Sequence, residues 1–302
     1  MTRRRAQSDR GVSTVVDVAL CLLLVSASVV VLVGVGGPTE PVDTTAADHA
    51  ATLLTGTTAT ANYSLAPGAR RADQSLVPFP QTAGTAFDRT AHGSVAQLLA
   101  RAAVANATIA GTPISHASDD FEVAVSNATR VRLDPISQDW QVVSLWRPTP
   151  GDSVRGQITV GADPPPRAAV STAVVRVRVG DSRRVGTGDA SHSFDTLAAE
   201  TAADTLRVLY PPQQSHLALL GDYPTDRLTT YRYRRVAGLL GVDLAGTVAE
   251  ADAARANQRL ARGLAPRLAP TLRDRFDSPR TARAAVDRRV GTVLVVVRTW
   301  SA

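Results

Sequence analysis

The chain has 302 residues and a formal net charge of +6, and all 33 of its basic residues are arginine because lysine is absent. A single cysteine excludes an internal disulfide framework and any zinc site built from cysteines. An ordinary packed core must therefore stabilise the fold.

An apolar run near the N-terminus dominates the organisation of the chain. Four arginines within the first ten residues precede a run from Val15 to Gly37, in which residues 18–35 carry no charge. A run of this length suffices to cross the hydrocarbon core of a bilayer as a helix. The first charges after it are acidic, at Glu40 and Asp43, so we expect a single-pass protein of the cell membrane with a cytoplasmic N-terminus and an extracellular C-terminal domain.

The junction between the basic head and the apolar run carries a second signal. Arg10-Gly11 is followed at once by the apolar segment, and this start resembles the class III signal peptide of archaeal type IV pilin-like proteins. The resemblance is limited to the head and the apolar run. It implies that a prepilin peptidase cuts the basic leader (1–11) between Gly11 and Val12. It also implies that the helix over 12–37 anchors the protein in the membrane and contacts other pilin-like subunits.

The composition leaves the source of the chain open. Abundant Ala, Val, Thr and Asp without Lys suit a haloarchaeal protein, as does the pilin-like start. The positive net charge argues against such a source, because proteins bathed in molar salt are usually strongly acidic.

The chain departs from the bacterial pilin pattern at one polar position. Bacterial-type pilins carry Glu at the fifth mature position, which is Val16 here, whereas the nearest acidic residue is Asp17. A carboxylate at that depth is costly in lipid unless it is paired or lies at the interface. We therefore expect Asp17 either to pair with the new amino terminus of a neighbouring subunit or to lie near the headgroups.

Two other interpretations of the N-terminal segment stay open. Ser26-Ala27-Ser28 offers small residues of the kind that a secretory signal peptidase cuts, although the apolar run continues beyond them to Val35. A simple uncleaved signal anchor needs no cleavage site at all.

Glycosylation triplets support the same topology. Three of the four asparagines begin an N-x-Ser/Thr triplet, namely Asn62, Asn106 and Asn127. Such triplets are N-glycosylation acceptors on exposed segments of secreted proteins. We predict outer-surface glycosylation at these three positions.

Residues 38–92 are predicted to form a stalk and linker. Pro38 and Pro41, with the glycines before them, interrupt the apolar helix, and a helix is expected to resume over 44–54. Residues 56–92 are rich in Thr, Ala, Pro and Gly with little periodicity, so they are expected to be extended or loop structure without a core.

Residues 93–302 are predicted to form one extracytoplasmic α+β domain. A helix over 94–105 is followed by alternating apolar and polar residues, which predict an antiparallel sheet with one buried face. The predicted strands cover residues 121–125, 131–133, 140–146, 154–160 and 169–179, and a last buried strand covers residues 291–300.

Several helices are predicted between the fifth strand and the last. They cover residues 194–209, a segment that begins near Pro224, and residues 247–276. Pro266 and Pro270 interrupt the third of these, so two or three short helices are expected there. Ser278-Pro279 is typical of an N-cap followed by the first helical turn.

The last part of the chain is strongly basic. From Arg227 to the C-terminus it holds 15 arginines and six acidic residues. A basic region can attract anionic partners, but no aromatic interleaving or reader motif for nucleic acid accompanies it. We interpret these arginines as cations on solvated helix faces and expect no nucleic-acid partner.

No catalytic, cofactor-binding or metal-binding pattern is evident. The five histidines are scattered and form no paired metal-ligand motif, and Asp119-Asp120 is interpreted as a turn at the start of a strand. The aromatic residues most able to form a ligand platform are interpreted as core or strand-face residues: Trp140, Trp146, Tyr231 and Tyr233.

These features predict a non-enzymatic, membrane-anchored envelope protein. The expected function is that of a pilin-like or pseudopilin-like structural subunit of an archaeal type IV pilus or secretion assembly. The alternative is a single-pass cell-surface binding protein whose helix serves only as an anchor. An anchored hydrolase is the third hypothesis.

Overall fold

The computed structural model describes residues 45–151, 153–180 and 193–301. Residues Thr44–Ala302 form one compact unit. The predicted leader, the predicted membrane helix over 12–37, the cleavage site at Gly11 and Val12, and Asp17 lie outside the described residues. Among the helices within the described ranges, none combines the length and the hydropathy needed to cross a membrane.

The described unit is an α+β fold. Its helices are α1 (Thr45–Gly56), α2 (Ala66–Arg70), α3 (Val95–Ala105), α4 (Asp119–Leu133), α5 (Phe194–Leu209), α6 (Pro212–Leu219), α7 (Thr225–Leu240), α8 (Ala245–Ala249), α9 (Ala253–Arg275) and α10 (Pro279–Val286). Its strands are β1 (Thr58–Ser64), β2 (Asp88–Ser94), β3 (Ala107–Ile109), β4 (Thr112–Pro113), β5 (Asp139–Trp146), β6 (Val154–Gly161), β7 (Ser171–Arg178) and β8 (Thr292–Trp300).

The main sheet contains six strands in the order β4-β3-β6-β5-β8-β7, and every neighbouring pair is antiparallel. The last strand, β8, lies between β5 and β7, with Val142 opposite Val297 and Val175 opposite Val295. The predictions of an antiparallel sheet and of a buried final strand are confirmed.

One face of the main sheet is covered by helices. The alternate valines of β8 are fully buried on that face: Val293, Val295 and Val297. On the same face, the hydroxyl of Ser144 donates a hydrogen bond of 3.1 Å to the carbonyl oxygen of Leu99 in α3. On the opposite face, Val143, Val296 and Val174 lie in one cross-strand row, and Val174 is 48% exposed. The core therefore lies between this sheet and the helices.

The prediction of strands over residues 121–125 and 131–133 is wrong, because the helix α4 occupies this region. Its buried residues recur at steps of four: Phe121, Val125, Thr129 and Leu133. Positions four apart also satisfy an alternation of period two, so the pattern of a strand and the stripe of a helix coincide here. Two other odd-numbered residues distinguish the helix from a strand, because a strand would bury them on the same face as Phe121. Val123 is 59% exposed and Val131 is 69% exposed.

The prediction of two or three short helices over 247–276 is also wrong for residues 253–275. α9 is one helix of 23 residues with Pro266 and Pro270 inside it. Both prolines are exposed, so the carbonyl groups that lose their partners can bind water. The opposite side of α9 buries a continuous leucine stripe, which holds the helix together: Leu260, Leu264, Leu268 and Leu272.

Residues 45–92, which were expected to belong to a stalk without a core, are part of the compact unit. The predicted helix over 44–54 is present as α1, but Ala47, Ala50 and Leu54 are completely buried in the main core. β1 and β2 pair antiparallel, and the segment between them contributes Phe79 and Phe87 to a second, smaller core. The alanines and aromatic residues of this segment bury apolar area although they lack a regular period.

Three predicted helix starts are confirmed by their caps. Ser94 forms a capping box with Gln97 at the start of α3. The Ser193 hydroxyl accepts a hydrogen bond of 3.1 Å from the backbone nitrogen of Thr196 in α5. Ser278 caps α10 in the same way. Each cap satisfies a backbone donor that the first helical turn leaves free.

Candidate functional site

The three predicted glycosylation sites differ in their surroundings. Asn62 is exposed on β1 and accepts a hydrogen bond of 2.9 Å from the Thr90 hydroxyl. Its side-chain nitrogen, the atom that carries a glycan, makes no hydrogen bond to the described residues. Asn62 therefore presents an exposed acceptor nitrogen that no described residue engages.

The other two acceptors are more constrained. Asn106 uses its side-chain nitrogen to donate to the Gln157 carbonyl oxygen at 2.9 Å and to Glu122 Oε2 at 3.2 Å. Asn127 is exposed on α4, but Thr129 of its triplet is completely buried and donates to the Val125 carbonyl oxygen at 2.8 Å. In the folded protein these contacts compete with modification at Asn106 and with recognition of the triplet at Asn127.

A small cleft lies where β1, α3, α4 and α7 meet. It encloses ≈ 230 Å³, and the residues that line it come from four separate stretches of the chain. They are Tyr63, Leu65, Arg101, Ala105, Ser115, Ala117, Ser118, Phe121 and Arg232. We call this feature the arginine cleft.

Two guanidinium groups give the arginine cleft its charge. Arg101 lies over the ring of Phe121, with 6.0 Å between its Cζ and the ring centroid. Arg232 lies over the ring of Tyr210 at 5.1 Å. Within the described residues, neither guanidinium forms an ion pair with a carboxylate. The aromatic faces hold both cations by cation–π attraction. Arg101 also donates a long hydrogen bond of 3.4 Å to the His92 carbonyl oxygen, and the other guanidinium donors of the two residues make no hydrogen bond to the described residues.

A buried hydrogen-bond network fixes the ring beneath Arg232. Tyr210 stacks on Tyr233 with 4.4 Å between the ring centroids. The amide of Asn257 bridges the two residues, because it donates to the Tyr210 carbonyl oxygen at 2.7 Å and accepts from the Tyr233 hydroxyl at 2.9 Å. The hydroxyl of Tyr210 in turn donates to the backbone carbonyl of Arg232 at 3.2 Å. Burial raises the pKa of Tyr233 to about 12, so this network is neutral at ordinary pH.

Hydroxyl groups add further donors to the arginine cleft. Ser115 is 7% exposed, and its Oγ accepts a hydrogen bond of 3.0 Å from the backbone nitrogen of Ala117, so its O–H points elsewhere. The ring of Tyr63 packs on Phe121 with 4.8 Å between centroids. The Tyr63 hydroxyl makes no hydrogen bond to any part of the chain that the structure describes. The polar lining is thus dominated by donors.

Two carboxylates lie beside the arginine cleft without pairing with its arginines. Asp119 binds the guanidinium of Arg71 and lies 3.4 Å from His116 Nδ1. Glu122 accepts hydrogen bonds from Ser118 and Asn106. Desolvation by burial raises the pKa of Glu122 to about 7, with a smaller contribution from the charge of Asp119, against the lowering effect of the Ser118 hydrogen bond. Glu122 is therefore close to half-protonated at neutral pH.

The vicinal acids Asp119 and Asp120 occupy the first turn of α4 rather than a turn before a strand. Negative charge is favourable there because it faces the positive end of the helix dipole. The described residues contain no group of three or more His, Cys, Asp and Glu side chains that could hold a metal ion.

The aromatic residues that the sequence analysis assigned to packing are core residues with one exception. Trp146, Tyr231 and Tyr233 are buried, whereas Trp140 is half-buried near the start of β5. The indole of Trp146 donates to the Val290 carbonyl oxygen at 2.8 Å. These residues support the fold and do not form an open platform.

The C-terminal arginines are spread over exposed and half-exposed positions of α7, α9, α10 and β8. Some have structural partners, since Arg273 pairs with Asp195 and Arg283 pairs with Glu200. Arg267 donates to the carbonyl oxygen of Leu239 at 2.6 Å. Only Arg232 of this group lines the arginine cleft.

Sequence reasoning did not find the arginine cleft. Tyr63 lay in a segment expected to lack a core, and Arg101 fell within a predicted helix without being assigned a role. Phe121 was placed on a strand, where its side chain would not face the same neighbours. The one available signal was the absence of a nearby acidic partner for Arg101 in the sequence of α3.

The model of a protein family described as a family of unknown function (DUF7284) matches residues 16–300. No curated protein and no solved structure matches the chain.

Proposed function

We propose that this chain, which belongs to the DUF7284 family, is a membrane-anchored, outward-facing pilin-like or pseudopilin-like structural subunit of a type IV pilus or secretion assembly. The observation that carries the proposal is the start of the sequence, where Arg10-Gly11 is followed directly by an apolar run that continues to Gly37. A cut after Gly11 leaves that run as an N-terminal helix that can remain in the bilayer or pack on the same helix of a neighbouring subunit.

The extent of the family match supports the proposal that the apolar run and the folded unit act together as one protein subunit. The match begins at residue 16, inside the apolar run, and continues to residue 300. The run and the folded unit are therefore covered together, as expected for a subunit whose helix has a function of its own. In the sequence, only residues 38–44 separate the run from α1.

A topology experiment tests the anchored, outward-facing arrangement. Membranes from the native host are extracted with alkaline carbonate, and intact cells are treated with a protease. We expect the protein to stay in the membrane pellet and the domain beyond Thr45 to be degraded from outside. Release into the supernatant, or protection of the domain in intact cells, would contradict the proposal.

A cell-surface binding protein with a simple signal anchor is the second candidate function. The arginine cleft favours it, because two guanidinium groups without carboxylate partners suit ligand binding better than a purely structural role. The N-terminus distinguishes the two candidates, since a simple anchor keeps its first eleven residues.

A further inference from the structure

We propose that the arginine cleft binds an oxyanion, that is, a carboxylate, phosphate or sulfate group, either free or at the end of a larger molecule. The inference does not depend on the proposed pilin-like function. It rests on the charges, the donors and the size of the cleft.

The charges of the arginine cleft are not compensated by the described part of the chain. Arg101 and Arg232 line the same cleft, and neither has a carboxylate within ion-pair distance among the described residues. Asp119, which follows the cleft residue Ser118 in the chain, is already engaged by Arg71 and His116. Two like charges repel each other, so an anion between them would relieve the repulsion and gain charge-assisted hydrogen bonds.

The donors are held in place before a ligand arrives. Phe121 supports Arg101 and Tyr210 supports Arg232, and the buried Tyr233 and Asn257 fix the position of Tyr210. A guanidinium that is already oriented loses less side-chain entropy on binding. The support is stronger for Arg232, which is half-buried, than for Arg101, which is exposed and held by Phe121 and the His92 carbonyl oxygen.

The hydroxyl groups of the arginine cleft also favour a ligand that accepts hydrogen bonds. Tyr63 contributes an O–H without a described partner, and the Oγ of Ser115 accepts from the backbone and so can donate outward. With the two guanidinium groups, these hydroxyls surround the space with donors. An oxyanion offers only acceptors, so it matches this lining.

The size of the cleft limits the ligand. Its ≈ 230 Å³ is below the range of about 300 to 1,000 Å³ typical of sites for drug-sized ligands. A single charged group fits, with Leu65 and Ala105 on the apolar side. We infer recognition of one anionic group rather than of a whole nucleotide.

Calorimetric titration of the full-length protein in a zwitterionic detergent tests the inference. The probes are sodium sulfate, sodium phosphate and sodium D-glucuronate at constant ionic strength. We expect saturable binding of at least one probe. Arg101→Gln and Arg232→Gln should each weaken that binding by about tenfold or more, because each removes a charge-assisted contact. Tighter binding of glucuronate would indicate a carboxylate ligand, and tighter binding of sulfate or phosphate would indicate a tetrahedral one.

Arg130→Gln is the matched control, because it removes the same charge from an exposed position whose only described contact is with Asn127. It should leave the affinity unchanged. Tyr63→Phe removes one hydroxyl without a change in charge and should also weaken binding, which keeps the test valid if Arg232→Gln does not fold. The inference fails if no probe binds saturably, if Arg130→Gln weakens binding as much as the cleft variants, or if Arg101→Gln and Tyr63→Phe both bind as the unmodified protein does.

Discussion

Gly156 shows how a single residue sets the distance between the sheet and α3. A Cβ built at this position of β6 would lie 1.9 Å from the carbonyl oxygen of Ala103. That oxygen belongs to the helix backbone, so the clash cannot be relieved by rotation of a side chain. The close approach also brings the end of α3 to β6, next to the position where Asn106 contacts Gln157.

We expect Gly156→Ala to lower the free energy of unfolding by about 2 kcal/mol or more, because the helix or the strand must move. Gly238→Ala is the control, since a Cβ at this exposed position of α7 has nothing within 4 Å. There the greater helix propensity of alanine should raise stability by about 0.5 to 1 kcal/mol. Urea denaturation of both variants provides the comparison, and equal effects of the two changes would show that the contact at Gly156 is not present.

The pKa of Glu122 leads to a dependence of stability on pH. Its pKa of about 7 in the folded protein lies above the ordinary value of 4.5 for a glutamate side chain, so the folded state favours the protonated form. The contribution of Glu122 to the free energy of unfolding is fully present below pH 4.5 and is lost as the pH rises through 7.

Glu122→Gln removes that titration while keeping groups that can bond Ser118 and Asn106. We expect the variant to match the unmodified protein near pH 4 and to exceed it in stability at pH 8, by about 1 kcal/mol because partial exposure reduces the effect. Thermal or urea unfolding at the two pH values measures the difference. A constant difference at both pH values would mean that Glu122 does not titrate as stated.

Prediction from the sequence succeeded at the scale of elements where local signals were decisive. The predicted helix over 94–105 is present as α3 because its apolar residues repeat at helical spacing, and β8 is a run of valines too apolar for an exposed end. It failed at α4 because residues four apart fit a strand and a helix equally. It failed at α9 because the penalty of a proline is local, whereas the leucine stripe that outweighs it spans the whole helix.

The continuity of α9 can be tested at one of its prolines. Pro266→Ala restores a backbone N–H that can bond the carbonyl oxygen of Arg262, at an exposed position where no cavity forms. We expect a gain of about 1 kcal/mol in the free energy of unfolding, since the loss of unfolded-state restriction offsets part of the benefit. Circular dichroism during urea denaturation follows the change.

Pro279→Ala is the control, because Pro279 is the first residue of α10, where proline costs no hydrogen bond. No gain is expected there. Pro279→Ala should instead lose a little stability, because its unfolded chain is less restricted. A loss of the same size in Pro266→Ala would contradict a continuous helix at residue 266.

At the scale of the whole molecule, the α+β class with an antiparallel sheet is confirmed, and residues 45–92 belong to the compact unit. The predicted membrane helix lies outside the described residues. The burial of residues 45–92 was not predicted from the sequence, because many of the buried residues are alanines, which pack closely but give only a weak apolar pattern. The arginine cleft was out of reach because Tyr63, Arg101 and Arg232 are brought together only by the packing of β1, α3 and α7. Contacts between residues so distant in the sequence cannot be predicted from the spacing of neighbouring residues.

The proposed function joins two parts of the chain, an apolar N-terminal run and a compact α+β unit that begins at Thr44. The claim that the run is a pilin-like helix makes a chemical prediction about the mature protein. A prepilin peptidase leaves Val12 as the new N-terminal residue, with Asp17 as its sixth residue. Substitution of Gly11 by valine should block the cut without a change inside the folded unit.

The most direct measurement is N-terminal sequencing, with intact mass, of the protein purified from native membranes with and without active prepilin peptidase. The account predicts a mature chain that begins at Val12 only when the peptidase is active, and an uncut chain for Gly11→Val. A chain that begins at Met1 or Thr2 in both strains would identify a simple anchor. A start near Val29 would identify a secreted protein, and either result would contradict the pilin-like function.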